Sequence, residues 1–297
     1  MRLKAWLGQK HLAITRHVYN NMIHTVSAVT WKKLTPARRT IDLIRAILAR
    51  NRAALALGII LVLLVAARLS VTAAQTDLAA ERARMVMTIE AHAKQASTTL
   101  GRDYIAPEVL KAVSAVPRHE FVPDGLRGDA YANRPLPIGY GQTISQPFIV
   151  ALMTDLLRVG PDDAVLEVGT GSGYQAAVLA HLARRVYTIE IVPGLADSAA
   201  TRLQRLGYSN IVARAADGYY GWEEAAPFDS IVVTAAASQI PPPLIRQLKP
   251  EGRMVIPVGA PFAVQYLVLV ERDPHNGRVT TRQLLPVRFV PLASGGQ

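Results

Sequence analysis

The sequence contains no cysteine among its 297 residues. This absence excludes disulfide bonds, zinc sites built from thiolates, and a thiol nucleophile. The histidine, aspartate and glutamate residues also show no spacing typical of a metal site, so we expect the protein to bind no metal.

Acidic residues are scarce at the start of the chain. Residues 1–52 contain eleven Lys and Arg residues and a single acid, Asp42, whereas the rest of the chain contains 22 basic and 21 acidic residues. The formal net charge of +11 therefore arises from a basic N-terminal arm. Because the remainder is nearly neutral, we expect no nucleic-acid partner.

An uncharged stretch, "AALALGIILVLLVAA", follows the arm at residues 53–67. It is shorter than the ~20 residues that a membrane-spanning helix needs, but it reaches Ala74 if Arg68 extends to the interface. The segment 53–74 therefore fits a signal sequence or anchor, a buried or membrane-surface helix, or a start codon assigned too far upstream. As an anchor it would leave the arm in the cytoplasm and place the rest outside, because basic flanks stay inside.

Residues 76–146 form a lead-in to the regular part of the chain. The segments 76–100 and 107–116 predict helices, the second with a proline in its first turn. Residues 117–146 are rich in proline and glycine and predict a long loop, and a loop of this length in a compact domain is usually functional.

Residues 147–297 show apolar strand segments that alternate with helical segments. This alternation predicts an α/β fold with a doubly wound, mostly parallel sheet. The last two strands have no helix between them and predict an antiparallel hairpin at the sheet edge. The segment 241–252 predicts a helix that is closed by a Lys-Pro-Glu-Gly turn.

The stretch "VLEVGTGSGYQAA" carries Gly169, Gly171 and Gly173 between a predicted strand and a predicted helix. Glycines let the chain turn tightly and let a ligand approach the backbone, although many helices simply begin after such a turn. In the dinucleotide pattern G-x-G-x-x-G the third glycine comes one residue later, and here Tyr174 at that place would crowd a diphosphate. We therefore favour S-adenosylmethionine, which has no phosphate, over NAD.

Three acids follow or end successive predicted strands. Glu167 lies two residues before Gly169, Glu190 ends the next strand, where a carboxylate can bind ribose hydroxyls, and Asp217 follows the third, near an expected adenine amino group. Each alone fits a solvated loop carboxylate or a helix cap. Together, at the carboxyl ends of parallel strands, they favour a cationic, nucleoside-containing ligand.

The segment "RPLPIGYGQTISQP", residues 134–147, resembles the signature loop of protein-L-isoaspartate O-methyltransferases. The resemblance continues through "VLEVGTGSGYQAAVLA", "IVARAADGYYGW", "PFDSIVVTAAA", "IPPPLIRQLKPEGRMVIPVG" and "RFVPL", and it covers about residues 100–292. It implies a Rossmann-like class I methyltransferase fold. The basic arm and the segment after it are not matched.

This family methylates the free α-carboxylate of L-isoaspartyl residues in damaged proteins and peptides, which are the implied partners. The methyl donor is S-adenosylmethionine and the product is S-adenosylhomocysteine. The ester then closes to a succinimide, which can reopen as normal aspartate. Because the carboxylate nucleophile is already ionised at pH 7, no general base is required.

By resemblance, Ser145 is the catalytic residue, since its hydroxyl can donate a hydrogen bond to the acceptor carboxylate. A serine before Gln-Pro also fits an ordinary helix N-cap. His119 is read as a structural histidine, and Asn133 is assigned no role. The expected cofactor-binding residues are Gln142, Thr143, Ile144, Glu167, Gly169, Thr170, Gly171, Ser172, Gly173, Glu190, Asp217 and Gly218. The expected substrate-binding residues are Pro135, Leu136, Pro137, Ile138 and Ser145, although core packing explains the four apolar ones equally well.

Two other functions remain open at this point: a Rossmann-like methyltransferase acting on RNA or a small molecule, and a membrane-tethered homologue without catalysis. The first predicts an Asn-Pro-Pro-Tyr type of motif after the fourth strand, where this chain has "VTAAASQIP"; the second predicts loss of the acids. We expect a monomer in the cytoplasm, where S-adenosylmethionine is made. The alternative is a protein anchored to the inner membrane, or exported to the periplasm, through membrane contact of residues 53–74.

Overall fold

The computed structural model describes residues 78–260 and 263–294, together with isolated helical positions between 38 and 49. The contacts divide the chain into two units, Met1–Gln75 and Thr76–Gln297. The hydrophobic segment 53–74 lies outside the described residues. Within the described ranges, no helix combines the length and the apolar character needed to cross a membrane.

The lead-in is helical, as the sequence predicts. Helix α1 occupies residues 78–95, and α2, Ser97–Leu100, continues it after Ala96. Met85, Ile89 and Ala93 are buried at intervals of four residues, so α1 packs one face against the core. Helix α3, Pro107–Ala115, begins with proline, whose fixed φ angle and missing N–H suit that position.

The segment 117–146 is more ordered than the predicted loop. It contains 3-10 helices at Arg118–Phe121 and Asp124–Asp129 and a hairpin of β1, Leu136–Gly139, with β2, Gln142–Ile144. The strands are antiparallel, with Leu136 opposite Ile144. Strands of four and three residues are too short for the alternation of apolar and polar residues that would have indicated them.

The strands of the central sheet are β3 Ala164–Val168, β4 Arg185–Glu190, β5 Ile211–Ala215, β6 Phe228–Val233, β7 Leu248–Val258, β8 Gln265–Arg272 and β9 Val279–Val287. Among the described residues, these seven strands lie in the order β5-β4-β3-β6-β7-β8-β9. The β5–β4, β4–β3, β3–β6 and β6–β7 pairs are parallel, and the β7–β8 and β8–β9 pairs are antiparallel. This arrangement confirms the predicted α/β class with an antiparallel edge.

Helices cover both faces of this sheet. All five residues of β3 are buried; Val165 belongs to one apolar cluster, whereas Leu166 and Val168 belong to another. Alternate side chains of a strand point to opposite faces, so the two clusters are the cores on either side of the sheet. The helices are α4 Pro147–Leu157, α5 Tyr174–Ala180, α6 Pro193–Arg205 and α7 Pro242–Arg246.

The prediction of a helix over 241–252 is wrong in its second half. Helix α7 ends at Arg246, and β7 already begins at Leu248, which pairs with Phe228. Pro250 has no N–H for a helical hydrogen bond, and Glu251 has a left-handed φ of 67°. A shift in the pairing register between Phe228 and Ser230 accommodates this irregular start of the strand.

Candidate functional site

The glycine turn lies directly after β3 and before α5. Gly169, Gly171 and Gly173 have φ angles of 96°, 53° and 87°, in the region that glycine adopts most readily. A Cβ atom on Gly169 would lie 2.5 Å from Oγ1 of Thr234. The turn therefore needs glycine both for its backbone conformation and for its close approach to the residue that follows β6.

A first cavity opens where β3, β4 and β6 end, on the side of their carboxyl termini. Open α/β sheets bind ligands at this position, next to the point where the strand order reverses. Residues from the hairpin, the glycine turn and the ends of three strands enclose it. The predicted site residues that line it are Gln142, Thr143, Ile144, Ser145, Glu167, Gly169, Thr170, Gly171, Ser172, Glu190 and Gly218.

Glu190 joins the end of β4 to the glycine turn. Its Oε2 accepts a hydrogen bond from the Gly171 N–H at 2.7 Å, and its Oε1 accepts one from the Val192 N–H at 2.9 Å. Each carboxylate oxygen has a second lone pair. The side chain can therefore hold the turn and still accept hydrogen bonds from a pair of vicinal hydroxyls in the cavity.

Glu167 is fully buried in the wall of the same cavity. Its Oε2 accepts a hydrogen bond from the Thr188 hydroxyl, and Thr170 Oγ1 lies 2.6 Å from Thr188 Oγ1. Its Oε1 has no hydrogen-bond partner among the described residues. Burial raises the pKa of Glu167 to about 8, and the nearby Glu190 charge adds to this rise. A cationic ligand would lower this pKa and stabilise the ionised carboxylate.

Two of the predicted cofactor residues lie beside the first cavity and do not line it. Gly173 packs against Leu203, whose Cγ would be 3.2 Å from an added Cβ. Asp217 accepts hydrogen bonds from the Tyr219 N–H at 2.9 Å and from the Ser294 hydroxyl at 2.7 Å. Asp217 therefore caps a short 3-10 turn and ties down the C-terminal segment, and the adjacent Gly218 forms the cavity wall.

A second cavity adjoins the first. It lies between the start of α4, residue His92 of α1, Pro135, and the segment 285–290 at the end of β9. His92 and Arg288 are the ionisable side chains among its lining residues. The two cavities share four lining residues, Thr143, Ser145, Thr234 and Val290. A ligand in one cavity can therefore meet a ligand in the other at these residues.

The residues predicted to bind substrate differ in position. Ser145 lines both cavities and Pro135 lines the second. Leu136 is completely buried in the core, and Pro137 is exposed on the hairpin. Ile138 lies against the glycine turn, with its Cδ1 3.4 Å from the position of a Cβ on Gly171.

The interpretation of Ser145 as the N-cap of α4 is wrong. Gln146 occupies the N-cap position and forms no side-chain cap hydrogen bond. The Phe148 N–H in the first turn of α4 instead donates to Oδ1 of Asn133 at 3.0 Å. Asn133, to which the sequence assigned no role, therefore satisfies this helix end from outside the helix.

Arg118 is a residue that the sequence did not single out. Its side chain is fully buried, its Nε donates to the Ala130 carbonyl, and one terminal nitrogen donates to the Ser145 carbonyl, both at 2.8 Å. The guanidinium lies 4.7 Å from the centre of the Tyr174 ring. Burial lowers the pKa of Arg118. An arginine in the segment "VPRHEF" looks solvent-exposed, so no local pattern could have indicated this position.

His119, next to Arg118 in the chain, contacts other side chains of the protein and lines neither of the two cavities. Its Nδ1 lies 2.7 Å from the Tyr131 hydroxyl, and burial lowers its pKa. It is not among the residues that line the two cavities. Across the described ranges, no group of three His, Asp or Glu side chains is arranged to hold a metal ion.

Comparison with known proteins identifies similar sequences. The pattern of the family "Protein-L-isoaspartate(D-aspartate) O-methyltransferase (PCMT)" matches residues 80–297. The chain is 61% identical to protein-L-isoaspartate O-methyltransferase 2 of Syntrophobacter fumaroxidans, over 80% of this chain and 96% of that one. It is 64% identical to protein-L-isoaspartate O-methyltransferase 1 of Cupriavidus necator, over 75% and 86%.

Solved structures of similar fold carry related names. A protein-L-isoaspartate O-methyltransferase superposes with a TM-score of 0.62 at 26% identity, over 72% of this chain and 66% of that one. A Plasmodium falciparum protein, described as a putative protein-L-isoaspartate O-methyltransferase in complex with S-adenosyl-L-homocysteine, superposes with a TM-score of 0.55 at 26% identity. That alignment covers 63% of this chain and 91% of the Plasmodium chain.

Proposed function

The chain belongs to the protein-L-isoaspartate(D-aspartate) O-methyltransferase family, and on that premise we propose how its two cavities divide the family's reaction. The enzyme transfers the methyl group of S-adenosylmethionine to the free α-carboxylate of L-isoaspartyl residues in damaged proteins. The first cavity binds the methyl donor and the second receives the isoaspartyl peptide. Transfer takes place where the two cavities share Thr143, Ser145, Thr234 and Val290.

The first cavity fits the donor by its chemistry. S-adenosylmethionine supplies a methyl group on a sulfonium, so that an O–CH3 bond forms as the S–CH3 bond breaks and a neutral ester and a neutral thioether remain. Glu190 offers carboxylate oxygens for the ribose hydroxyls, and the buried Oε1 of Glu167 lacks a partner among the described residues. An anionic diphosphate would be repelled by the Glu190 carboxylate and would favour the neutral form of Glu167, whereas a sulfonium favours its ionised form.

The second cavity fits an anionic acceptor. Its ionisable lining residues are His92 and Arg288, so the cavity wall adds no negative charge. The acceptor carboxylate is ionised at pH 7 and needs no base. The carboxylate needs a hydrogen-bond donor that orients it and a site that excludes water. The Ser145 hydroxyl supplies that hydrogen bond at the junction of the cavities, and Arg118 holds the Ser145 backbone carbonyl at 2.8 Å.

The observation that carries this proposal is the pair of adjoining cavities with Ser145 in the wall of both. The test is transfer of a tritiated methyl group from S-adenosylmethionine to an isoaspartyl peptide and to the same peptide with normal aspartate. We expect labelling of the isoaspartyl peptide alone. Equal labelling of both peptides, or no labelling by an enzyme that binds the donor, would contradict the proposal.

We also propose that the catalytic unit lies in the cytosol, because the methyl donor is made there. We further propose that the protein is a monomer. Residues 53–74 lie outside the described residues, and cell fractionation also tests whether they contact the membrane. Fractionation of cells that express the full chain, combined with protease accessibility of residues 76–297, tests the location. Light scattering of the purified protein tests the monomer. Digestion of the catalytic unit by protease added outside the membrane of intact cells would contradict the location, and a stable dimer would contradict the monomer.

A further inference from the structure

The tip of the β1–β2 hairpin has an unusual backbone. Tyr140 stands between Gly139 and Gly141, and all three have positive φ angles of 95°, 53° and 70° in chain order. A positive φ angle is unfavourable for a residue with a bulky side chain. Tyr140 is nevertheless a large aromatic residue with 67% of its surface exposed, so neither burial in the core nor backbone preference explains its presence at this position.

The Tyr140 side chain lies against Gly194 at the start of α6. A Cβ atom on Gly194 would be 2.2 Å from the Tyr140 hydroxyl oxygen and 2.6 Å from Cζ of the ring. Atoms cannot approach so closely, so the phenol occupies the space that any other residue at position 194 would fill. The missing side chain of Gly194 thus makes the contact possible.

This contact joins two segments that line the first cavity. Residues Gln142–Ile144 of β2 form one part of the wall, and the segment 190–192, from the end of β4 to the start of α6, forms another. Tyr140 comes two residues before the first segment, and Gly194 comes two residues after the second. The contact between Tyr140 and Gly194 therefore connects the two wall segments at one edge of the first cavity.

The hairpin is the part of this enclosure that lies outside the central sheet. Strands β1 and β2 form a separate two-stranded sheet, whereas Glu190 belongs to β4 within the seven-stranded sheet. Displacing the hairpin tip breaks no hydrogen bond of the central sheet. Displacing the other side of the cavity would disturb β4 or α6.

We infer that the contact between Tyr140 and Gly194 is a latch that sets how long S-adenosylmethionine and S-adenosylhomocysteine remain in the first cavity. Tyr140 is thus a positioning residue for the cofactor, and the hairpin tip opens for exchange. This inference rests on the proposed function, because it takes the first cavity as the cofactor site. It adds a specific determinant of the residence time of the cofactor.

The test measures the dissociation rate of S-adenosylhomocysteine by stopped-flow displacement from the full-length protein. We expect Gly194→Ala and Tyr140→Ala each to raise this rate about tenfold, because the first displaces the ring from its contact and the second removes the ring. Gly128→Ala is the matched control, because a Cβ there meets no atom within 4 Å. In the Tyr140→Ala background, Gly194→Ala should have no further effect, since its clash partner is gone.

Thermal unfolding of each variant checks that it folds. Alanine has a higher helix propensity than glycine, so Gly194→Ala should disturb α6 only through its clash with Tyr140. If that variant does not fold, Tyr140→Ala still decides, because it truncates an exposed side chain. Dissociation rates equal to wild type in folded variants would overturn the latch, and so would additive effects in the double variant. Failure of the wild-type protein to bind S-adenosylhomocysteine would instead overturn the proposed function.

Discussion

The Thr188 hydroxyl donates a hydrogen bond to Oε2 of Glu167 at 2.5 Å, from the neighbouring strand of the sheet. The Ala176 backbone also favours the ionised carboxyl group of Glu167, although Oε1 has no partner at hydrogen-bond geometry among the described residues. These contacts do not offset complete burial, so the neutral acid is favoured and the pKa rises to about 8. The charge of Glu167 should therefore depend on what occupies the first cavity.

Binding of S-adenosylmethionine should release a proton at pH 7. Without ligand Glu167 is mostly protonated, because its pKa of about 8 lies above the solution pH. The sulfonium charge favours the ionised form and lowers this pKa. Calorimetry in buffers of different ionisation enthalpy measures the protons released. S-adenosylhomocysteine, which has no sulfonium, should release fewer protons, and Glu167→Gln should remove the difference between the two ligands. A Glu167→Gln variant that still releases more protons with S-adenosylmethionine than with S-adenosylhomocysteine would refute this.

The stability of the ligand-free protein should fall as the pH rises from about 5 to 9. The folded-state pKa of Glu167 is raised from 4.5 to about 8, so its contribution is complete below pH 4.5 and is lost as the pH passes 8. In the limit, the loss amounts to roughly 5 kcal/mol. Denaturant unfolding of wild type and Glu167→Gln at several pH values isolates it. Parallel pH profiles for the two proteins would show that Glu167 is already ionised.

Ser145→Ala should slow methyl transfer by about 10- to 100-fold and leave the affinity for S-adenosylhomocysteine within about threefold of wild type. The variant loses one hydrogen-bond donor to the acceptor carboxylate. Ser145→Thr, which keeps the hydroxyl, is the control and should retain more activity. Initial rates with an isoaspartyl peptide and calorimetry with the product check both parts. Loss of product affinity at unchanged kcat would move Ser145 out of the acceptor site.

Arg288→Gln should raise KM for an isoaspartyl peptide by about fivefold, with little change in kcat, because the cation attracts the acceptor at the mouth of the second cavity. The difference from wild type should shrink in 0.5 M salt as the charge is screened. Arg282→Gln is the control, since Arg282 is exposed on β9 and is not among the residues lining either cavity. An equal rise in KM for both variants would indicate a general charge effect.

Arg118→Lys should lower both stability and turnover. An ammonium group cannot donate to the Ala130 and Ser145 carbonyls in the geometry of the guanidinium. Loss of a buried charged donor costs roughly 2–4 kcal/mol of unfolding free energy. Because the Ser145 carbonyl is released, kcat should fall more than cofactor affinity. Arg127→Lys, whose partner Asp124 is exposed, is the control and should change neither quantity; a loss of stability at normal kcat would leave Arg118 a purely structural residue.

The sequence predicted the glycine turn and two of its acids because their geometry is local. Parallel strands end at one edge of the sheet, so an acid at a strand end, such as Glu167 or Glu190, lies near the turn whatever the rest of the chain does. Asp217 follows its strand by two residues, and that distance let it turn away toward Tyr219 and Ser294. The hairpin was predicted as a loop because its strands are too short to show a pattern.

The sequence by itself determined the α/β class, the family and the first cavity, because strand–turn–helix order and residues close in the chain encode them. Only the tertiary structure decided that Ser145 shares a wall with Thr234 and Val290, that Arg118 is buried beneath it, and that Tyr140 meets Gly194. These contacts join residues far apart in the chain. Their distances depend on how helices and the hairpin pack on the sheet, and local sequence patterns carry no information about that packing.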